Sequence, residues 1–181
     1  MLISVIALLE ERKGHIYLLK ALKRILNQKP YLMPKVLIEG KGSQEQILSN
    51  FIEENGMRDH VMMIGEIKNI FNLINASDII ILPSIKDEDF PNIILESMSL
   101  GVPVIGTNIA GIPQQIKHQH SGIIVQPKDV SQLEKGIIEL VQDKGKRKMF
   151  SMNAKRIFKD NYLTDISIKK YLNIYEDQVI I

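Results

Sequence analysis

The sequence has no cysteine. That removes disulfide frameworks, thiolate zinc sites and cysteine nucleophiles, and it fits a reducing compartment, with the cytoplasm as the default. It has little net charge: 23 basic against 21 acidic residues leave +2. Charge balance therefore argues for neither a nucleic-acid partner nor an anionic membrane, and any anion site must be local. No apolar run is long enough to span a bilayer. The opening "MLISVIALLEERKGH" turns charged directly after its apolar stretch and lacks a small-residue cleavage site, so it reads as a buried strand rather than a leader. Integral insertion is therefore not expected, while peripheral contact at the inner membrane face stays open. No repeat, low-complexity tract or Pro/Gly/Ser linker divides the 181 residues, and 45% hydrophobic content suits one domain over residues 1–181.

What is present is an alternation. Short β-branched runs recur at 3–9, 35–40, 61–65, 78–84, 102–107 and 122–127. Each is nearly continuous in apolar character and closed by Gly, Pro or Ser, as expected of strands buried on both faces of a parallel sheet. Helical segments are predicted between them at 15–28, 43–55, 67–76, 91–100 and 112–118, followed by polar and basic helices at 129–143, 145–159 and 163–177. Strand-helix alternation requires right-handed crossovers. The predicted class is α/β, a doubly wound Rossmann-like parallel sheet of about six strands with C-terminal helices.

With the strand order 3-2-1-4-5-6, the loops after the first and fourth strands open on the crevice where the order reverses, and ligands bind there in such sheets. Those loops are "EERKGH" (10–15) and "SIKDEDF" (84–90), so Lys13 and Glu88 are predicted to approach one cleft. Pro91 suits the first turn of the following helix, and the N–H groups of Asn92 and Ile93 would face the cleft as an anion site with Lys13 opposite. Glu96 shares a helix face with Asn92, while Ile94, Leu95 and Met98 form the buried side. A carboxylate beside a diphosphate is unfavourable unless it accepts hydrogen bonds, and paired ribose hydroxyls supply them.

"EDFPNIILE" (88–96), a Glu, seven residues, Glu segment with an aromatic and Pro near its start, resembles the donor-binding, carboxy-terminal domain of GT-B glycosyltransferases, family 4 (group 1). "SMSLGVPVIGTNIAGIP" (97–113), "RKGH" (12–15) and "LPS" (82–84) are similar to further elements of that family, and the resemblance runs across nearly the whole chain. It implies that Lys13 contacts the donor diphosphate, Glu88 the transferred sugar, the Phe90, Pro91, Asn92 and Ile93 backbone the phosphates, and Glu96 the ribose. Gly65 and Glu66, in "MIGEIK" (63–68), stand where the family meets the nucleotide base. Three departures stand out. Ala7 and Leu8 replace a frequent Gly-Arg, Ala110 and Gln114 stand in a turn that is often Gly-Gly followed by Glu, and the amino-terminal, acceptor-binding domain is expected to be absent.

The resemblance implies retaining hexosyl transfer from a nucleotide-sugar, a substrate rather than a cofactor, to a glycan or lipid-linked acceptor held by an amino-terminal domain or partner chain, with no metal. A non-catalytic nucleotide-sugar-binding half and a GT-B-like sugar-nucleotide epimerase are the other readings. His15, His60, His118 and His120 show no metal-ligand spacing and read as caps and surface positions. Arg12 reads as surface. "GKG" (40–42) lacks the Lys-Ser/Thr of a P-loop. "KGKRK" (144–148) reads as a solvated helix start without the interleaved aromatics that stack bases.

Overall fold

Six short strands pair entirely in parallel in the computed structural model, which describes residues 1–166, 168, 172 and 173. In chain order the elements are β1 (Leu2–Ile6), a 3₁₀ turn at Glu11–Lys13, α1 (His15–Gln28), a second 3₁₀ turn at Pro30–Leu32, β2 (Lys35–Glu39), α2 (Glu45–Glu54) and β3 (Val61–Gly65). There follow α3 (Ile70–Ala76), β4 (Ile79–Leu82), α4 (Asn92–Leu100), β5 (Val104–Thr107), α5 (Ile112–Gln115), β6 (Gly122–Val125), α6 (Val130–Gln142) and α7 (Lys144–Asn161). The sheet order is β3-β2-β1-β4-β5-β6, so the order reverses between β1 and β4, as predicted. The predicted helix at 163–177 lies largely outside the described residues.

Period-2 alternation along each strand divides the core into two layers. Ile3, Val5, Ile79, Ile81, Ile105, Ile123 and Val125 pack under α1, α2 and α6. Ile6, Ile80, Leu82 and Val104 pack under α3, α4, α5 and part of α7. α7 bridges the layers, since Phe150 belongs to the first while Ala154 and Ile157 belong to the second. A fully buried Ile or Leu contributes about 1.5–3 kcal/mol, and dozens of such side chains offset the ordering entropy.

Several predicted boundaries shorten for local reasons. β1 ends at Ile6, three residues early, because the chain bends toward β2, where Leu9 N donates to Lys41 O at 2.9 Å. β4 stops at Leu82 and β5 begins at Val104 beside Pro83 and Pro103, which have no N–H for a ladder. α3 begins at Ile70, since Asn69 caps it by accepting from Asn72 N and Ile67 N is taken by the Glu39 carboxylate at 3.1 Å. α5 closes at Gln115 because Ile116 turns extended (φ −103°, ψ 119°).

Candidate functional site

The loop after β1 is held against the end of β4 by backbone contacts. Gly14 has φ 69° and lies so close to Pro83 that a Cβ would run into the Pro83 carbonyl oxygen, so only glycine fits. Ile85 N donates to Arg12 O at 2.7 Å, and the Arg12 guanidinium donates to Asp87 O at 3.0 Å and to Glu10 Oε2 at 2.6 Å. Arg12 is thus a brace between the two loops, not the plain surface residue predicted from sequence. Its guanidinium has the several donors that such bridging requires.

This clamp brings Lys13 and Glu88 into an ion pair between Nζ and Oε1. Ser84 Oγ donates to the same Oε1 at 2.7 Å, and Thr107 Oγ1 donates to Ser84 O at 2.8 Å. Glu88 is buried, and among the described residues both of its hydrogen bonds go to one oxygen. Oε2 takes no hydrogen bond among the described residues.

Three residues on, Pro91 is the N-cap of α4 rather than a residue of its first turn, with φ −64° and ψ 124°. The reason is its own extended ψ, which lets the Pro91 carbonyl accept from Ile94 N at 3.2 Å and sets Asn92 as the first helical residue. Among the described residues no side chain caps α4, nor α1, α2 or α5, whereas Asn69, Asp129 and Asp143 cap α3, α6 and α7. The first N–H groups of a helix have no partner within it, and with the dipole they favour an anion.

Glu96 takes no part in the Lys13–Glu88 pair. It lines an open cavity of about 320 Å³ with Phe71, Asn92, Leu95, Ser99 and Phe158. Partial burial lifts its carboxyl above the usual carboxylate range. Leu95 borders this cavity instead of lying wholly on the buried side. Phe90 is exposed, with its ring 5.9 Å from that of Tyr162.

Residues 109–115 support the acidic loop from below. Gly111 N donates to Asp89 O at 2.8 Å, and Gln115 Nε2 donates to Pro91 O at 3.2 Å. A side chain at Gly111 would strike the Asp89 carbonyl and the Phe90 ring. Ala110, where the family often has glycine, has φ 43°. Gly65 ends β3 with φ 65°, and its carbonyl accepts from Gly40 N at 2.9 Å. Glu66 faces Lys41 at 3.4 Å in an exposed pair. Neither residue joins the Lys13–Glu88 pair or the Glu96 cavity.

His118 and His120 are exposed, as the sequence reading expects, whereas His15 and the Nδ1 side of His60 are not. His15 is 2% exposed, both ring nitrogens lack partners among the described residues, and burial, followed by the charge of Lys13, lowers its pKa to about 4. It is a core residue because the Gly14 turn directs the first residue of α1 inward. His60 Nδ1 is likewise buried without a partner, while His118 Nδ1 accepts from Ile124 N at 3.0 Å. Among the described residues no cluster of three His, Cys, Asp or Glu side chains could hold a metal ion. Ser84, Thr107, Gly111 and Gln115 were not singled out from sequence. Ser84, closing "LPS", and Thr107 and Gly111, inside "SMSLGVPVIGTNIAGIP", lay within quoted elements, whereas Gln115 carried no signal.

A doubly wound sheet whose switch-point crevice holds a lysine turn, a buried glutamate and an uncapped helix start has the architecture of one half of a GT-B glycosyltransferase. The chain belongs to the glycosyl transferases group 1 family, whose sequence profile matches residues 1–157. A glycosyltransferase of Methanocaldococcus jannaschii is 29% identical over 167 residues, covering 91% of this chain and 42% of that protein. N-acetyl-alpha-D-glucosaminyl L-malate synthase of Bacillus anthracis is 28% identical over 143 residues, covering 79% of this chain and 37% of that protein. In fold, the chain is similar to Anabaena HepE crystallised with UDP, with a TM-score of 0.87, 21% identity, and coverage of 98% of this chain and 49% of that one. The chain thus spans about two fifths of the length of these curated relatives.

Proposed function

We propose that this chain is the nucleotide-sugar-binding part of a retaining glycosyltransferase, acting on a glycan or lipid-linked acceptor held by a second domain or partner chain. The Lys13–Glu88 pair beside the uncapped start of α4 carries the reading. Lys13 and the N–H groups of Asn92 and Ile93, in the backbone run Phe90 to Ile93, receive the diphosphate. Glu96 accepts hydrogen bonds from the ribose hydroxyls, and Gly65 and Glu66 face the base. As the glycosidic bond breaks, charge grows on the leaving diphosphate, and cation and helix start stabilise it without a metal. Glu88 orients sugar hydroxyls through its free oxygen and opposes the positive charge that develops on the sugar. UDP bound to HepE and the glucosaminyl malate synthesis named for the Bacillus anthracis relative support the reading.

The test is calorimetric titration of the chain with nucleoside diphosphates and their sugars. Glu96→Ala should weaken nucleotide binding by about 1–3 kcal/mol, because desolvated hydroxyls lose their acceptor. Glu88→Ala should spare the nucleoside diphosphate and impair the nucleotide-sugar. Equal affinities in Glu96→Ala and the native chain would reject the ribose role.

A second reading, a non-catalytic nucleotide-sugar-binding half that needs a partner, draws on Ala7 and Leu8. The frequent arginine is replaced by a leucine that is 48% exposed, so one phosphate donor is missing. Transfer of sugar to a free acceptor by the native chain alone would refute it.

A further inference from the structure

α7 concentrates charge that the rest of the chain lacks. Within Lys144–Asn161 stand seven of the 23 basic residues and one of the 21 acidic residues, in a chain of net +2. The remainder is therefore net acidic. Two of the seven serve the fold: Lys146 pairs with Glu139, and Arg147 donates to the carbonyls of Leu140 and Val141 at the end of α6. The other five, Lys144, Lys148, Lys155, Arg156 and Lys159, are exposed, and none forms an ion pair among the described residues.

Those five share one face with two thioethers. At 100° per residue, Lys144, Lys155, Lys148, Lys159, Met152, Arg156 and Met149 fall within an arc of about 140°. Met149 is 40% and Met152 58% exposed, and Leu163, just past the helix, is 43% exposed. The opposite side, Phe150, Ala154 and Ile157, is buried. The sequence reading of 144–148 as a solvated helix start covers only the first turn. The structure extends the basic face along the whole helix and interleaves apolar side chains with it.

We propose that this face of α7 docks on an anionic phospholipid bilayer, with the helix lying in the plane of the interface. Lysine and arginine heads meet lipid phosphates while the methionines enter the boundary with the acyl chains. A nucleic acid would use the charge but gain nothing from thioethers, and the arc holds no exposed aromatic on which bases could stack. The surface also lies next to the candidate site. Phe158 lines the Glu96 cavity, and Tyr162 donates to Gln114 O at 3.3 Å and packs against Phe90. Docking would hold the acidic loop beside the membrane.

Vesicle flotation tests this with the whole chain. Vesicles of equal parts phosphatidylcholine and phosphatidylglycerol should capture it, pure phosphatidylcholine should not, and salt near 1 M, where screening acts within about 3 Å, should release it. Each basic residue near such a surface strengthens partitioning roughly fivefold, so K148E/R156E/K159E should lose more than about 100-fold. The charge-matched K20E/K23E/R24E, altered in the open groove that Lys20, Lys23 and Arg24 of α1 line with Phe51 and Val130, should retain binding. M149S/M152S should weaken binding about tenfold at unchanged salt dependence. Melts followed by circular dichroism, matched to the native chain, establish that the variants fold. Retained binding in K148E/R156E/K159E, an equal loss in K20E/K23E/R24E, or capture of a single-stranded oligonucleotide in preference to vesicles would overturn the proposal.

Discussion

Lys13 and Glu88, 75 positions apart, form an ion pair with only 13% and 6% of their side chains exposed. Both have given up most of their hydration, and each other, together with Ser84, is what offsets that loss. On the function proposed above, a diphosphate that draws Lys13 away would leave Glu88 in need of donors, and sugar hydroxyls would supply them, so the pair would link recognition of the two ends of a nucleotide-sugar.

The same burial makes the pair a unit of stability. Lys13→Met or Glu88→Leu alone should cost about 3–5 kcal/mol, because one charge stays buried without its partner. K13M/E88L should be more stable than either single variant. Urea denaturation of the four proteins measures this, and simply additive losses would show that the two side chains do not act together.

Glu96 should trade stability for binding. Its carboxyl is raised by partial burial, so at neutral pH its charge is held in a less favourable place than in the unfolded chain. Glu96→Gln keeps the shape and removes the charge. It should melt slightly higher than the native chain while binding nucleoside diphosphate more weakly, since a neutral amide is a poorer acceptor for two hydroxyls. Paired melting and titration curves check both signs, and a lower melting point would contradict the burial argument.

The sheet order was legible because each strand is a β-branched run closed by a breaker, and chirality leaves few ways to connect them. The Glu88 to Glu96 spacing and the lysine turn were legible as residue types, and the topology supplied their common edge. His15 was not legible: its burial comes from the left-handed Gly14 turn, and a polar residue after a turn reads as a cap. Arg12, Thr107 and Gln115 were also hidden, because each acts through a carbonyl brought near by tertiary packing, for which local pattern has no signal. The basic character of 145–159 was legible in its composition, whereas the single face shared by its exposed cations follows from the helix bounds and from which side is buried.

Gly14 is the joint on which the site turns. With φ 69° and the Pro83 carbonyl against it, Gly14→Ala adds both a left-handed strain of about 1–2 kcal/mol and a steric clash with backbone. Stability should fall by about 3 kcal/mol or more, and nucleotide binding by the remaining folded chain should fall too, because Lys13 moves with the loop. Gly56→Ala is the control: φ is 63° there, with nothing within 4 Å. Its loss should stay near the strain value alone, as read by urea midpoints, and equal losses at the two glycines would remove the clash from the account.

His15 sets an acid limit on the fold. Its pKa, near 6.5 unfolded, is lowered to about 4 in the folded chain by burial first and by Lys13 second. Between those values the unfolded chain binds the extra proton, so stability must fall as pH falls. The contribution is fully present above about pH 6.5 and is lost as pH drops through about 4, on the order of 3 kcal/mol in all. His15→Leu, which fills similar space without a titrating ring, should show a flatter stability profile over that window. Urea midpoints at intervals from pH 7 to pH 4 provide the comparison, and parallel profiles would mean that His15 takes its proton without opening the core.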